Sequence, residues 1–256
     1  MKRLFALMLC AVSLGVTAQV TYPYNPDSDN NGSLGLNDLL DFLALYGETF
    51  EVEEHLCGNP IEHQGEIYQT TYIDGHCWFG ENLRATSFTT GEEIPLVTSQ
   101  NGVSQQDVWE QEVLVNQQAV RSYPAQNNGA DFVSELGYLY SGYAAIDARG
   151  LCPTGWGIPT KLQYQSLRLR LGGSIFSGLA LREEPWGYNS VGFEAKQGVV
   201  RQSDGDFVGE TMFWTKTTSG SNALWNMRIP SNGNSVDIDV NGRAMGLYVR
   251  CIKDSE

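Results

Sequence analysis

Four cysteines behind an export leader limit this chain to folds that covalent cross-links can tie together at two points. Lys2 and Arg3 precede an apolar run from Leu4 to about Val16, and Val16-Thr17-Ala18 places small residues where a signal peptidase reads, so residues 1–18 are expected to be a signal peptide. Export delivers Cys57, Cys77, Cys152 and Cys251 to an oxidising compartment, where an even count of cysteines pairs. Three pairings are open to four cysteines, and the sequence alone does not choose. The pairing taken forward is Cys57 with Cys77 and Cys152 with Cys251. The second bond would close a loop of about 100 residues, worth roughly 4 to 5 kcal/mol in the chain-entropy treatment. Cys10 lies inside the leader, and Leu9 stands before it where a lipidation site takes a small residue.

The formal net charge is −14, and removal of Lys2 and Arg3 makes the exported chain more acidic still. Such a chain repels phosphate backbones, and no basic stripe interleaved with aromatics offsets this, so nucleic acid is not an expected partner. No segment after the leader approaches the roughly 20 apolar residues of a membrane span. A secreted or cell-surface-associated protein without a transmembrane segment is expected.

Residues 19–54 read as a module of their own, rich in acids and without Lys or Arg between Asp27 and Glu54. Asp27, Asp29, Asn31 and Asp38 fall at positions 1, 3, 5 and 12 of an EF-hand-like loop, with Gly32 at position 6. Alternating side chains converge on a hard cation, and the glycine permits the turn that aims the Ser33 carbonyl inward, so Ca2+ is the expected cofactor. Aspartate at the twelfth position resembles the dockerin form of the loop. Dockerins carry two loops and this chain carries one, which points to a calcium-stiffened segment more than to a docking pair. Leu36, Leu39, Leu40, Leu43 and Tyr46 recur at helical spacing over 36–46, widened by Phe42 and Leu45, with Gly47 as the stop. A short helix this apolar needs a surface to cover, either the main domain or a partner. The plainer alternative is an acidic, Asn/Gly-rich linker.

Residues 55–256 have the texture of short strands, with many glycines and frequent aromatics. Residues 65–73 alternate as one half-buried strand, Asp74-Gly75 reads as its turn, and Cys77-Trp78-Phe79 begins the return. Val236, Ile238 and Val240 alternate with Asp237 and Asp239. Asn241-Gly242 then predicts a type I′ turn, with Leu247, Val249 and Cys251 on the way back. Asp237 and Asp239 would face solvent on an outer strand, opposite Arg243 or Arg250. Thr160 and Gln163 form a capping box for a helix through Leu167 and Leu171 to Gly172-Gly173. The polar, Gln/Asn-rich stretch from Gly91 to Gly137 shows no motif.

Three ordered segments carry a family resemblance: Tyr68 to Arg84, Ala148 to Thr160, and Phe213-Trp214-Thr215 followed by Tyr248 to Asp254. They resemble the opening, central and closing motifs of the Fibrobacter succinogenes major paralogous domain family. The resemblance implies an exported bacterial protein and assigns no shared biochemical activity. Cys-Pro-x-Gly-Trp, Phe-Trp and Arg-Cys in that order also resemble the C-type lectin-like fold, an analogy of fold alone. The implied class is α+β: a C-type lectin-like mixed domain of short antiparallel strands and one or two helices, behind the calcium loop and its helix. Gly157 stands where the family commonly has histidine, so any role of that imidazole is absent here.

No arrangement typical of catalysis stands out. His55, His63 and His76 with Cys77 match no zinc spacing, and there is neither a Gly-x-Ser-x-Gly elbow nor a free thiol beside a histidine. Glu183, Glu184, Asp204 and Asp206 sit in loops, where a glycosidase pair would be hidden among solvated acids. Trp156 and Trp214 are read as core. Trp186, Tyr188 and Trp225 are read as a ligand surface, since rigid aromatic faces with a polar edge suit the CH faces of sugars. The expected function is a non-enzymatic binding module for a glycan or a surface protein. The alternatives are a polysaccharide-acting enzyme of lectin-like fold and a structural envelope or matrix component.

Overall fold

The computed structural model describes residues 33, 35–44, 55–125, 129–231 and 233–253. The expected signal peptide and the expected calcium-loop positions Asp27, Asp29 and Asn31 lie outside the described residues. The chain divides into two units, Met1–His55 and Leu56–Glu256.

In the first unit the described residues form one helix, α1, Leu36–Ala44. Its start is set by Asp38, whose Oδ2 accepts from the Gly35 amide at 2.7 Å. This is the side-chain half of a capping box, satisfying one of the amides that a helix start leaves without an internal partner. Asp38 is 3% exposed, whereas Leu36, Leu39, Leu40 and Leu43 are between 51% and 70% exposed.

The second unit opens with two consecutive hairpins, β1 (Ile61–His63) with β2 (Glu66–Tyr68) and β3 (Thr70–Ile73) with β4 (His76–Phe79). Both turns are two residues long, Gln64-Gly65 and Asp74-Gly75, with φ of 55°, 78°, 51° and 82°. Positive φ at both positions defines the type I′ turn, whose twist matches that of the flanking strands. The expected single strand over 65–73 is therefore two. It breaks at Gln69, whose amide donates to Glu81 Oε1 at 3.1 Å and whose carbonyl accepts from the Gly80 amide at 2.8 Å.

The polar stretch after this contains α2 (Gln105–Glu110), capped by Ser104 and continued by a π-helical turn, then β5 (Arg121–Ser122) and α3 (Val133–Leu136). Its buried Trp109 packs with Val97, Val113, Val120 and Ala244 in a small third core. Next come β6 (Leu139–Ser141), α4 (Gly142–Ala145), β7 (Trp156–Gly157), α5 (Lys161–Arg170) and α6 (Gly173–Leu181). The capping box on α5 forms as predicted, with Thr160 Oγ1 and the Gln163 side chain each bonding the other's backbone amide. Seven strands complete the unit: β8 (Val200–Arg201), β9 (Phe207–Val208), β10 (Thr211–Thr218), β11 (Ala223–Ile229), β12 (Asp237–Gly242), β13 (Gly246–Leu247) and β14 (Ile252–Lys253). The described residues thus make a mixed α and β structure of four small antiparallel sheets, in which three shorter helices accompany α5 and α6.

One of these sheets gathers all three motif regions. Its order is β3-β4-β14-β7, so the opening motif supplies two strands, the closing motif the third and the central motif the fourth. Both faces carry buried side chains, although Tyr72 of β3 is exposed. Cys77 and Phe79 point into one core cluster with Trp156, Trp214 and Val249, while Trp78 points into another with Tyr164, Phe193, Phe213 and Tyr248. The disulfides are Cys57–Cys77 and Cys152–Cys251, the second fastening the central motif to the closing one.

The hairpin expected over 236–251 does not form. Asn241 and Gly242 still pair with Leu224 and Ala223 of β11, so β12 is the partner of the strand before it. The chain turns at Arg243–Met245 and enters a different sheet, where β13 lies between β6 and β8. Residues 247–252 are buried on both faces, which local alternation could not distinguish from a half-exposed return strand. Asp237 and Asp239 do lie on an edge strand, but the cation opposite is Arg228 of β11, 3.7 Å from Asp237, and not Arg243 or Arg250.

Candidate functional site

The motif residues are occupied in holding the domain together. Arg250 is fully buried, and its guanidinium donates to Asn82 Oδ1 at 2.7 Å and to the carbonyls of Phe79, Phe193 and Glu194. The rings of Phe193 and Phe213 lie 4.4 and 5.4 Å from it. Burial draws its pKa down to about 9, still above neutrality, so the charge is retained and balanced by carbonyl dipoles and ring faces in place of a carboxylate. Arg84 holds Glu66 and Glu81 and covers Tyr68. Trp78 and Trp214 donate to the Ile73 and Tyr140 carbonyls. Side chains spent this way leave little for a ligand.

The histidines are dispersed. His63 Nε2 lies 2.9 Å from the Leu151 carbonyl, and burial lowers its pKa, while His76 begins β4 of the other hairpin. Among the described residues no three His, Cys, Asp or Glu side chains converge on a common point. Of the proposed calcium ligands, Ser33 is exposed and Asp38 folds back on Gly35.

The aromatics singled out for ligand binding fall in two places. After α6 the chain makes a turn in which the amides of Trp186 and Gly187 bond the Glu183 carbonyl at 3.0 and 2.9 Å, with a cis Glu184-Pro185 bond inside it. The Tyr188 amide donates to the Leu179 carbonyl and the Asn189 amide to the Arg182 carbonyl, which lays the turn back on the helix end. Gly187 is obligatory for this contact: a Cβ there would sit 2.6 Å from both Arg182 Cβ and the Leu179 carbonyl oxygen. Trp186 and Tyr188 are left 52% and 69% exposed on this turn. Trp225 stands apart. It is half-buried near the start of β11 with the Lys161 ammonium 3.2 Å from its ring centroid. The turn abuts the other end of that strand, where Arg182 bonds the Pro230 carbonyl.

Beside the turn is a small pocket of about 110 Å³ lined by Arg182, Lys196, Gly198, Glu210, Thr211 and Pro230. Most of its polar groups are engaged. Lys196 Nζ holds Glu183 at 2.8 Å, and Arg228 holds Glu210 through two bonds of 3.1 and 2.5 Å. Thr211 Oγ1 donates to the Lys196 carbonyl and accepts from the Gly198 amide. Sequence reasoning missed Arg182: in Leu181-Arg182-Glu183-Glu184 it reads as one more solvated charge, and its burial comes from the turn folding over it.

A second cleft, of about 430 Å³, runs along residues 145–158 and includes Gly157 and Lys216. Its charged pair is closed on itself, with Arg149 Nε and Nη2 on the two oxygens of Asp147 at 2.8 and 2.7 Å and the guanidinium 3.9 Å from the Phe88 ring centroid. That pairing lowers the Asp147 pKa. Of the loop acids, Glu183 is tied to Lys196, and Asp204 accepts from the Asp206 amide.

A model of the Fibrobacter succinogenes major domain family matches residues 72–253, most of the chain. No curated protein and no solved structure matches it.

Proposed function

The chain belongs to the Fibrobacter succinogenes major domain family, and from that premise we propose that it is an exported, non-enzymatic glycan-binding module of the cell surface or extracellular space. The observation that carries this reading is the turn after α6, which holds Trp186 and Tyr188 outward at 52% and 69% exposure while its backbone is fixed to the helix end. A rigid aromatic platform loses little entropy when a pyranose stacks on it, and the tyrosine hydroxyl and indole N–H offer polar edges. Two disulfides fit an oxidising compartment, and no helix among the described residues is long and apolar enough to cross a membrane. A C-type lectin-like architecture is part of the reading, supported by the central and closing motifs being fastened in one core by Cys152–Cys251. In the N-terminal unit, the spacing of Asp27, Asp29, Asn31, Ser33 and Asp38 supports a bound calcium ion that stiffens the segment leading into α1.

A glycan array probed with the exported chain, with and without a calcium chelator, tests the reading. Binding that is lost in Trp186→Ala and Tyr188→Ala supports it. Absence of binding to any glycan under both conditions overturns it, and retention of binding in both variants moves the site elsewhere.

A further inference from the structure

We propose that the pocket beside the turn is the carboxylate subsite of the glycan site, so that the saccharide taken is an acidic one bearing a uronic acid residue. The inference rests on the reading of Trp186 and Tyr188 as the sugar platform and adds the chemical class of its ligand.

Arg182 is the reason. It is 7% exposed and lines the pocket, yet its guanidinium makes a single hydrogen bond among the described residues, from Nη2 to the Pro230 carbonyl, and holds no carboxylate. Four other arginines of the domain are engaged more fully. Arg84, Arg149 and Arg228 each grip an acid, and Arg250, which has none, spends its donors on four oxygens. Donors left over on an arginine that lines a pocket are open to a ligand entering it. A planar guanidinium fork matches the two oxygens of a carboxylate, as a point charge such as an ammonium does not.

The surroundings favour an anion of that size. Glu183 and Glu210, the acids lining or flanking the pocket, are held by Lys196 and Arg228, and among the described residues Arg182 pairs with no acid. At about 110 Å³ the pocket takes a carboxylate and excludes a hexose ring, since sites that enclose a whole small molecule run to roughly 300 Å³ and more. The ring must then lie outside, against the turn that packs on Arg182 and carries Trp186. A general electrostatic bias cannot mimic this preference. The chain is strongly acidic and its overall field disfavours anionic sugars, so selectivity for an acid has to be local.

The test is a two-dimensional NMR titration of the full exported chain with glucuronate, galacturonate and mannuronate, each beside its methyl ester, following the Trp186 indole N–H and the Arg182 Nε–H signals. The expected result is that at least one acid moves both signals at a concentration at least tenfold lower than its ester, and that Arg182→Gln brings acid and ester within about twofold. Acid and ester acting equally on Trp186 in the wild type overturns the carboxylate subsite and leaves the glycan reading standing. Acids that move Arg182 without Trp186, matched by plain acetate, overturn the glycan reading and reduce the pocket to a general carboxylate site. No response from any sugar overturns both. The comparison of acid with ester in the wild type needs no variant, so a misfolded Arg182→Gln does not remove the test.

Discussion

Arg250 Nε donates to Asn82 Oδ1 at 2.7 Å, a hydrogen bond between residues 168 positions apart that ties the closing motif to the opening one inside the core. Asn82 uses its other polar atom as well, donating from Nδ2 to the Leu136 carbonyl at 2.7 Å. Replacing either partner leaves a buried charge or carbonyl unanswered. Asn82→Ala and Arg250→Lys are each expected to lower stability by about 2 to 4 kcal/mol. Urea unfolding at constant slope measures this, and a midpoint unchanged in either variant would show that the pair is dispensable.

The two disulfides should differ in worth. Cys152–Cys251 closes a separation of 99 residues and Cys57–Cys77 one of 20, for which chain entropy gives about 4.7 and about 3.3 kcal/mol. Serine replacement of both partners, one bridge at a time, should therefore destabilise more for the long loop. The reverse ranking in guanidinium unfolding would mean that the larger part of the effect lies in the folded state.

His63 makes the domain sensitive to mild acid. Burial holds its pKa below the ordinary 6.5, the Leu151 carbonyl pulling the other way. A folded-state pKa below the unfolded one means the unfolded chain takes up the proton more readily, so the stability is present above pH 6.5 and is lost as the pH falls below it. His63→Gln keeps a donor for Leu151 without the titration. Its Tm should fall less than that of the wild type between about pH 7.5 and about pH 5, and parallel curves would exclude His63 as the cause.

Two variants of the aromatic turn separate shape from contact. Gly187→Ala forces a methyl group to 2.6 Å from Leu179 and Arg182, which should cost about 1 to 3 kcal/mol and weaken saccharide binding at the same time. Trp186→Ala removes a side chain that is half in solvent, and is expected to abolish binding while changing stability by less than about 0.5 kcal/mol. Full binding by Gly187→Ala would show that the turn's seat on α6 is immaterial.

What was legible in the chain was local. Asp74-Gly75 announced its turn because two adjacent residues must both take positive φ, and Thr160 with Gln163 announced α5 because a capping box is complete within four residues. The fate of Asn241-Gly242 was illegible: the same dipeptide can close a turn or end a strand, and pairing with β11 decided it. Trp109 sat in a stretch whose Gln and Asn content hid a core residue. The pocket depended on Arg182 being covered by residues that follow it, a matter of tertiary packing with no trace in spacing or composition.

The sheet β3-β4-β14-β7 has a consequence for when the domain can fold. Ile252 pairs with both Trp78 and Gly157, so two of the sheet's three strand pairings need a residue near the end of the domain. A growing chain that has not yet reached Ile252 cannot make those pairings, and only the early hairpins β1-β2 and β3-β4 are open to it. Closure over such sequence distances is slow compared with local structure, so β3 and β4 are expected to pair before β14 and β7 join them.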